Sequence, residues 1–243
     1  MFSTRLPASL VPTPLAAAIT ARRARRAPIL DLTLSNPTTA GLAYPETLAA
    51  AWSNAAALRY EPDPRGIATA RTAIAGWYAS TGESVSPDHL VLTASTSEAY
   101  AHLFKLLCDP GDRVLVPCPS YPLFEHLAHL EGVAVDRYAW RDAGRWVLDA
   151  EDLASRITPR TRAIVVVAPN NPTGTMPTPQ EWRVLADTCR THNLALIVDE
   201  VFAAYPLRAA SGHPPVPGPR YPVPGPRTRP PVPGTRNMLR HAV

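Results

Sequence analysis

The sequence predicts an α/β fold in which a mostly parallel sheet carries helices on both faces. From residue 29 onward, short apolar runs alternate with longer stretches of helical periodicity, which is typical of strands joined by helical crossovers. The run 163–167 is apolar without alternation, as expected for a central strand that is covered on both faces. Polar residues follow the predicted strands, at the edge where such sheets bind ligands.

The strands are predicted from apolar runs, and they lie at 89–94, 112–117, 133–138, 162–169 and 194–199. The helices are predicted between these runs, at 66–81, 97–108, 121–131, 149–156 and 178–192. In the helix at 97–108, Ser95 and Glu98 have the spacing of a capping box. One face of this helix is apolar, formed by Ala99, Leu103, Leu106 and Leu107.

The composition divides the chain into three parts: an N-terminal segment at 1–45, a partial large domain at 46–207 and a proline-rich tail at 208–243. The chain has 24 basic and 20 acidic residues. Six of the arginines and none of the acids lie in the tail, so 24 − 6 leaves 18 basic residues against 20 acidic ones elsewhere. The basic balance therefore belongs to the tail, and it gives no reason to predict that the folded part binds nucleic acid.

The cysteine count and the apolar runs indicate a cytoplasmic protein without a membrane span. The three cysteines have no metal or redox spacing, and such a sparse count is typical of reduced thiols. The arginines at 22–26 follow the short apolar stretch at 15–19, whereas a signal peptide has its basic residues first. His126 and His129 lack a third ligand at a suitable spacing, so no metal site is predicted.

The segment Ser95–Ser97 is the first candidate ligand site. It follows a predicted strand and opens a helix, where free backbone N–H groups, hydroxyls and the positive end of the helix dipole favour a phosphate. An ordinary capped helix explains the same pattern, since helix caps are common.

Three further residues at strand ends are candidates for binding a flat, charged ring. Asn171 lies in the turn PNNPTG, where its amide could donate to a ligand oxygen. Asp199 follows an apolar strand, and a protonated pyridine nitrogen would be a suitable partner for its carboxylate. Tyr121 could stack on the ring. The alternatives are a plain turn for Asn171, a helix cap or surface acid for Asp199, and turn packing for Tyr121.

Taken together, the chain resembles the class I/II aminotransferases of the fold-type-I pyridoxal phosphate family. The resemblance covers about residues 29–207 and lies in the segments LTLSNPTTAGLAYP, RYEPDPRG, LTASTSEAY, CDPGDRVLVPCPSYP, VVVAPNNPTG and IVDEVF, in that order. It implies a pyridoxal 5'-phosphate cofactor, an amino acid and a 2-oxo acid as substrates, and a homodimer.

The resemblance also implies roles for individual residues. Asn171 would contact the phenolic oxygen of the cofactor and the substrate, and Asp199 the pyridine nitrogen. The remaining implied contacts are the phosphate for Ser95, Thr96 and Ser97, the ring face for Tyr121, the phosphate of the neighbouring subunit's cofactor for Tyr60, and the substrate for Asn36. Phe202 departs from the family pattern, because many relatives have a tyrosine there that donates to the phenolic oxygen.

A second departure concerns the lysine that attaches the cofactor covalently, the Schiff-base lysine. In the family it follows the position of Asp199, but the only lysine of this chain is Lys105, which the helical period places on a solvated face. We therefore expect the chain to stop before this lysine and to be inactive, with no catalytic residue of its own. The alternative is a protein that binds pyridoxal phosphate without turnover, or that docks partners through its tail.

Two structural expectations complete the sequence analysis. First, Asp199 and Asn171 are expected at the carboxyl edge of the sheet, with Tyr121 and Ser95–Ser97 across a shared cleft. Second, the resemblance implies strands after residue 207 that lie between the strand ending at Ala94 and the one ending near Pro169. Without them, the phosphate segment would be separated from Asn171 and Asp199, and the tail is expected to be disordered or extended.

Overall fold

The computed structural model describes residues 3–6, 11–31, 36–39, 41–204 and 239–241. The chain divides into two compact units, one formed by Met1–Leu6 with Asp63–Val243 and the other by Pro7–Pro62. Each unit is described by itself.

The larger unit contains a six-stranded sheet in which the central strands are parallel. The strands are β1 (Arg113–Cys118), β2 (Ala134–Asp142), β3 (Trp146–Leu148), β4 (Thr161–Val167), β5 (Ala195–Asp199) and β6 (Leu239–His241). Their order across the sheet is β3-β2-β1-β4-β5-β6, and only the β2–β3 pair is antiparallel. This arrangement confirms the predicted α/β fold with a mostly parallel sheet.

Five α-helices of the larger unit follow the predicted helices closely. They are α3 (Ala68–Ser80), α4 (Thr96–Leu107), α5 (Phe124–Leu130), α6 (Ala150–Ser155) and α7 (Pro179–His192). The start of α7 is fixed by a capping box between Thr178 and Glu181, and Pro179 occupies the first turn, where its missing N–H costs nothing. The left-handed conformation of Asn193 ends the helix.

Alternate residues of β4 and β5 pack on opposite faces of the sheet, as the period of two requires. Ile164 and Val166 join one buried cluster with Leu185 of α7. The intervening residue Val165 joins a second cluster with Phe104 of α4. Both faces are therefore covered, which explains the uninterrupted apolar run in β4.

The predicted strand at 89–94 is wrong. Residues 87–89 form a 3-10 helix, and the segment that follows is irregular. Its backbone is held by a hydrogen bond from the Leu92 N–H to the Arg65 carbonyl oxygen, at 2.9 Å. No strand pairs with this segment in the described part of the chain, so an apolar run that suits a sheet forms no ladder there.

The expected gap beside the strand that ends near Pro169 is also wrong. That strand is β4, and it pairs with β1 on one side and with β5 on the other. The second neighbour of β5 is β6, a three-residue strand near the chain end. Leu239–His241 are thus extended, which is one of the two conformations predicted for the tail, while residues 205–238 lie outside the described residues. The pairing of β6 with β5 is possible because residues 234–243 contain no proline, which lacks the N–H that strand pairing needs.

The smaller unit contains short helices with exposed faces. They are α1 (Pro14–Ala24), α2 (Thr47–Ala51) and a 3-10 turn at Ala55–Leu58. Thr13 caps α1, and the basic side chains of Arg22 and Arg23 lie in its last turn, where they complement the helix dipole. None of the helices in the described ranges is long and apolar enough to cross a membrane.

Candidate functional site

The candidate site lies at the carboxyl edge of the sheet, where three parallel neighbours end. β1 ends at Cys118, β4 at Val167 and β5 at Asp199. Val167 and Asp199 are register partners, and the Ala168 N–H donates to the Asp199 carbonyl oxygen at 2.9 Å. The segments that follow these strands, which carry Tyr121 and Asn171, therefore begin at one edge.

Asp199 is a buried carboxylate with one partner on each oxygen. Its side chain shares the sheet face of Ala195 and Ile197, because alternate residues of β5 point the same way. The Tyr100 hydroxyl donates to Asp199 Oδ2 at 2.8 Å, and the Val201 N–H donates to Oδ1 at 3.0 Å. These bonds offset the desolvation of a charged group that is only 9% exposed.

Tyr100 is a site residue that the sequence analysis missed. It lies on α4 and is 3% exposed. Burial, together with the charge of Asp199, holds the pKa of Tyr100 well above its ordinary value, so the hydroxyl remains a hydrogen-bond donor. The available signal was the helical period, which puts Thr96, Tyr100 and Leu103 on one face of the helix. The prediction that Leu106 lies on the apolar face is wrong, because Leu106 is 68% exposed.

The first turn of α4 leaves several donors free. The Ser95 hydroxyl accepts from the Glu98 N–H at 3.2 Å, and Glu98 Oε2 accepts from the Ala94 N–H at 2.5 Å. The N–H and hydroxyl groups of Thr96 and Ser97 have no hydrogen-bond partner among the residues that the structure describes. Two backbone donors and two hydroxyls at the positive end of a twelve-residue helix can bind an anion.

Thr96 and Asp199 line the same cleft between α4 and β5. The cleft is lined by Thr96, Ala99, Tyr100, Leu103, Ile197, Val198 and Asp199. The expected separation of the phosphate segment from Asp199 is therefore wrong. The reason is that α4 packs directly on the face of β5 that carries Ile197 and Asp199.

Tyr121 is linked to Asp199 through a chain of aromatic side chains. Its ring is 38% exposed and meets Phe124 edge to face, with 5.9 Å between the ring centroids. Phe124 in turn meets Tyr100 edge to face at 5.2 Å. The Tyr121 ring therefore has an accessible surface while its position is fixed by α5 and α4.

The turn PNNPTG, residues 169–174, contains two asparagines, and only one of them forms side-chain hydrogen bonds within the described residues. Asn170 is buried, and its Nδ2 donates to the Pro119 carbonyl oxygen at 3.0 Å and to Thr173 Oγ1 at 2.9 Å. Asn170 Oδ1 accepts from the Ser120 hydroxyl at 3.2 Å, which ties this turn to the end of β1. The half-buried Asn171 has no side-chain hydrogen bond within the described residues, so its amide is available to a ligand.

Two predicted residues, Asn36 and Tyr60, belong to the smaller unit. Asn36 Oδ1 accepts from the Thr38 N–H at 3.0 Å and from the Thr38 hydroxyl at 2.6 Å, which forms a local turn. The side chain of Tyr60 is 92% exposed. Their roles toward substrate and cofactor stay predictions. In the larger unit, Phe202 follows the end of β5 and is 40% exposed.

Lys105 points away from the cleft. It lies five residues after Tyr100, which is about 140° round the helix. Its Nζ forms an ion pair with Glu131 Oε1 at 2.6 Å, and its side chain is 60% exposed. The predicted solvated position of this lysine is confirmed.

The sequence of the chain is similar to those of known aminotransferases. The sequence model of the aminotransferase class I and II family matches residues 29–212. Glutamate-pyruvate aminotransferase AlaA of Escherichia coli (strain K12) is 31% identical over 176 residues, which cover 72% of this chain and 44% of that protein. Alanine aminotransferase of Mycobacterium tuberculosis (strain H37Rv) is 34% identical over 179 residues, which cover 72% of this chain and 41% of that protein.

The chain is also similar to solved structures of aminotransferases. Alanine aminotransferase from Pyrococcus furiosus superposes with a TM-score of 0.74 at 27% identity, over 86% of this chain and 54% of that one. A Thermus thermophilus aspartate aminotransferase variant also gives 0.74, at 29% identity, over 86% and 55%. The chain thus spans less than half the length of the curated relatives cited here. Because the family model covers most of its residues, the chain belongs to the class I and II aminotransferases.

Proposed function

We propose that the chain forms the cofactor-holding part of a pyridoxal phosphate-dependent aminotransferase, which moves an amino group from an amino acid to a 2-oxo acid. Two lines of support are the family membership and the names of the relatives, which are alanine, aspartate and glutamate-pyruvate aminotransferases. Pyridoxal phosphate, when bound, supplies an electron-withdrawing pyridine ring. The residues of this chain would bind and orient that group.

The observation that carries the proposal is that anion donors and a buried carboxylate line one cleft. Thr96 lines the cleft, and Ser97 follows it in the first turn of α4. The free N–H and hydroxyl groups of both residues suit a phosphate, and the dipole of α4 adds to its binding. Asp199 suits a protonated ring nitrogen, because a buried carboxylate gains most from a cationic partner. One end of the cleft therefore favours negative charge and the other positive charge.

The remaining residues are proposed to hold the ring and the substrate. The exposed surface of Tyr121 would stack on the ring, and the Asn171 amide would donate to the phenolic oxygen. We propose that Asn36 contacts substrate and that Tyr60 reaches the phosphate in a neighbouring subunit, as in a homodimer. Phe202 has no hydroxyl to add a second donor to the phenolic oxygen.

The position of Lys105 favours a second candidate function for the 243-residue chain, which is reversible binding of pyridoxal phosphate without turnover. Its amine is paired with Glu131 on the exposed side of α4, so it cannot reach a ring beside Asp199. The chain contains no other lysine to attach the cofactor or to shuttle a proton. On this basis, we propose that the chain alone is inactive. We also propose a cytoplasmic location, which the small number of cysteines favours.

The test is binding of pyridoxal phosphate to the purified chain, followed through dialysis and borohydride reduction with peptide mass mapping. We expect dialysable binding without a covalent adduct. Asp199→Asn should weaken binding by about tenfold to a hundredfold, the range for a hydrogen bond to a charged group. Asp187→Asn, on the exposed side of α7, is the matched control and should have no effect. A stoichiometric adduct on Lys105 with half-transamination would contradict the proposal of inactivity.

A further inference from the structure

The Tyr100 hydroxyl occupies a defined place on the carboxylate of Asp199. An ionised carboxylate has about four lone-pair positions. Tyr100 takes one on Oδ2 and the Val201 N–H takes one on Oδ1. Each oxygen therefore keeps one acceptor position, on a side chain that lines the cleft.

The ring of Tyr100 is fixed by its own packing. It is 3% exposed and lies between Phe104, at 5.8 Å between ring centroids, and Phe124, at 5.2 Å. Packed aromatic neighbours restrict the rotation of the ring. This packing holds the hydroxyl at Asp199 Oδ2 in the structure.

Loss of the hydroxyl would leave Asp199 with the Val201 N–H as its only described donor. The carboxylate could then rotate about its last side-chain bond, which is a broad and soft torsion. The backbone bond to Val201 comes from the same strand end and holds one oxygen alone. Tyr100, which comes from α4, is the contact that ties the orientation of the carboxylate to the helix carrying Thr96 and Ser97.

We infer that Tyr100 is a positioning residue, which orients Asp199 so that the cleft selects phosphorylated rings with a basic ring nitrogen over rings that lack it. This inference rests on the proposed function of the cleft. It extends that function, because selectivity for the ring nitrogen then depends on α4 as well as on β5.

The experiment compares two ligands that cannot react with an amine: pyridoxine 5'-phosphate and its carbocyclic 1-deaza analogue. Dissociation constants for both are measured by calorimetry for the wild type, Tyr100→Phe and Tyr138→Phe. Tyr138 is the matched control, because it is also a buried tyrosine, and its hydroxyl donates to the Val165 carbonyl oxygen at 2.8 Å. Circular dichroism and urea unfolding establish that each variant is folded.

We expect Tyr100→Phe to weaken binding of pyridoxine phosphate by about tenfold, the factor for one hydrogen bond to a charged group. Its affinity for the deaza analogue should change by less than about twofold, since that ligand has no ring nitrogen for Asp199. Tyr138→Phe should leave the ratio of the two affinities at the wild-type value. A purely structural role for Tyr100 would lower both affinities together and leave the ratio unchanged.

A measurement on the wild type covers the case in which Tyr100→Phe does not fold. With labelled tyrosine, the protected hydroxyl proton of Tyr100 should shift on binding of pyridoxine phosphate and stay in place with the deaza analogue. The inference is overturned if Tyr100→Phe changes the two affinities by the same factor, or if the two ligands shift the Tyr100 proton equally. Either result leaves the proposed function standing. Failure of the wild type to bind either ligand overturns the proposed function and the inference together.

Discussion

Replacement of Gly66 by alanine should destabilise the larger unit and displace the segment that leads into α4. Gly66 has φ of +87°, and an added Cβ would lie 2.6 Å from the Cβ, Cγ and Cδ1 atoms of Leu92. The loop has little room to adjust. The Gly66 N–H donates to the Asp63 carbonyl oxygen at 2.9 Å, and the Gly66 carbonyl oxygen accepts from Arg71 Nε at 3.0 Å.

The expected cost has two parts. A side chain in the left-handed region costs about 1–2 kcal/mol, and forcing extra atoms into packed surroundings costs about 1–3 kcal/mol. Alanine also stiffens the unfolded chain, which returns about 0.5 kcal/mol. The free energy of unfolding should therefore fall by roughly 1.5–4.5 kcal/mol, measured by urea denaturation monitored by fluorescence.

Gly82→Ala is the matched control for the backbone part of this cost. Gly82 has φ of +89°, and its added Cβ would meet nothing within 4 Å. We expect a loss of about 1 kcal/mol there, so the difference between the two variants measures the contact with Leu92. Combining Gly66→Ala with Leu92→Ala should remove the contacts with Cγ and Cδ1 and leave the one with Cβ, so it should recover only part of the loss. Equal losses in Gly66→Ala and Gly82→Ala would refute the argument.

Three further predictions concern stability. Asp112→Ala should cost about 1–3 kcal/mol in urea unfolding, because it leaves Arg162 Nε without its 2.8 Å partner, while Asp187→Ala should cost less than about 0.5 kcal/mol. Burial raises the pKa of the Cys189 thiol from 9.0 to about 12, so folding favours the neutral thiol. The contribution of this thiol to the free energy of unfolding is complete below pH 9 and is lost as the pH rises to about 12. Cys189→Ala should flatten the fall in stability between these pH values by up to about 1.4 kcal/mol per pH unit, and an unchanged slope would contradict the burial argument. Ser95→Ala should lower the free energy of unfolding by about 1 kcal/mol through loss of the cap on α4; a loss near zero would show that another group caps the helix.

The elements that the sequence predicted well are those whose signal is local. The helix predicted at 178–192 is Pro179–His192, and the strand predicted at 194–199 is Ala195–Asp199. A helix closes its hydrogen bonds within itself, so its period and cap are readable from neighbouring residues. The buried strands were recognisable because their apolar runs lie between turn residues.

The parts that were missed depend on residues distant in sequence. The apolar run at 89–94 has the composition of a strand, but a strand also needs a neighbour to pair with. Tyr100 looked like one more aromatic residue of a helix, because its hydroxyl meets Asp199 across 99 positions of sequence. In PNNPTG, only the three-dimensional turn shows that Asn170 is tied to the protein and Asn171 is not.

The two edges of the sheet divide stability and binding between them. At the amino edge, Asp112 is 1% exposed, and its carboxylate lies within ion-pair distance of Arg160 and Arg162, so its charge is neutralised within the protein. At the carboxyl edge, the first turn of α4 and the Asn171 amide keep donors that bind nothing else in the described residues. Substitutions of Asp112 should therefore be detected by melting, and those of Thr96 and Asn171 by titration with ligand. In a set of variants scored by both measurements, those that change thermal stability and those that change ligand affinity should lie at opposite edges of the sheet.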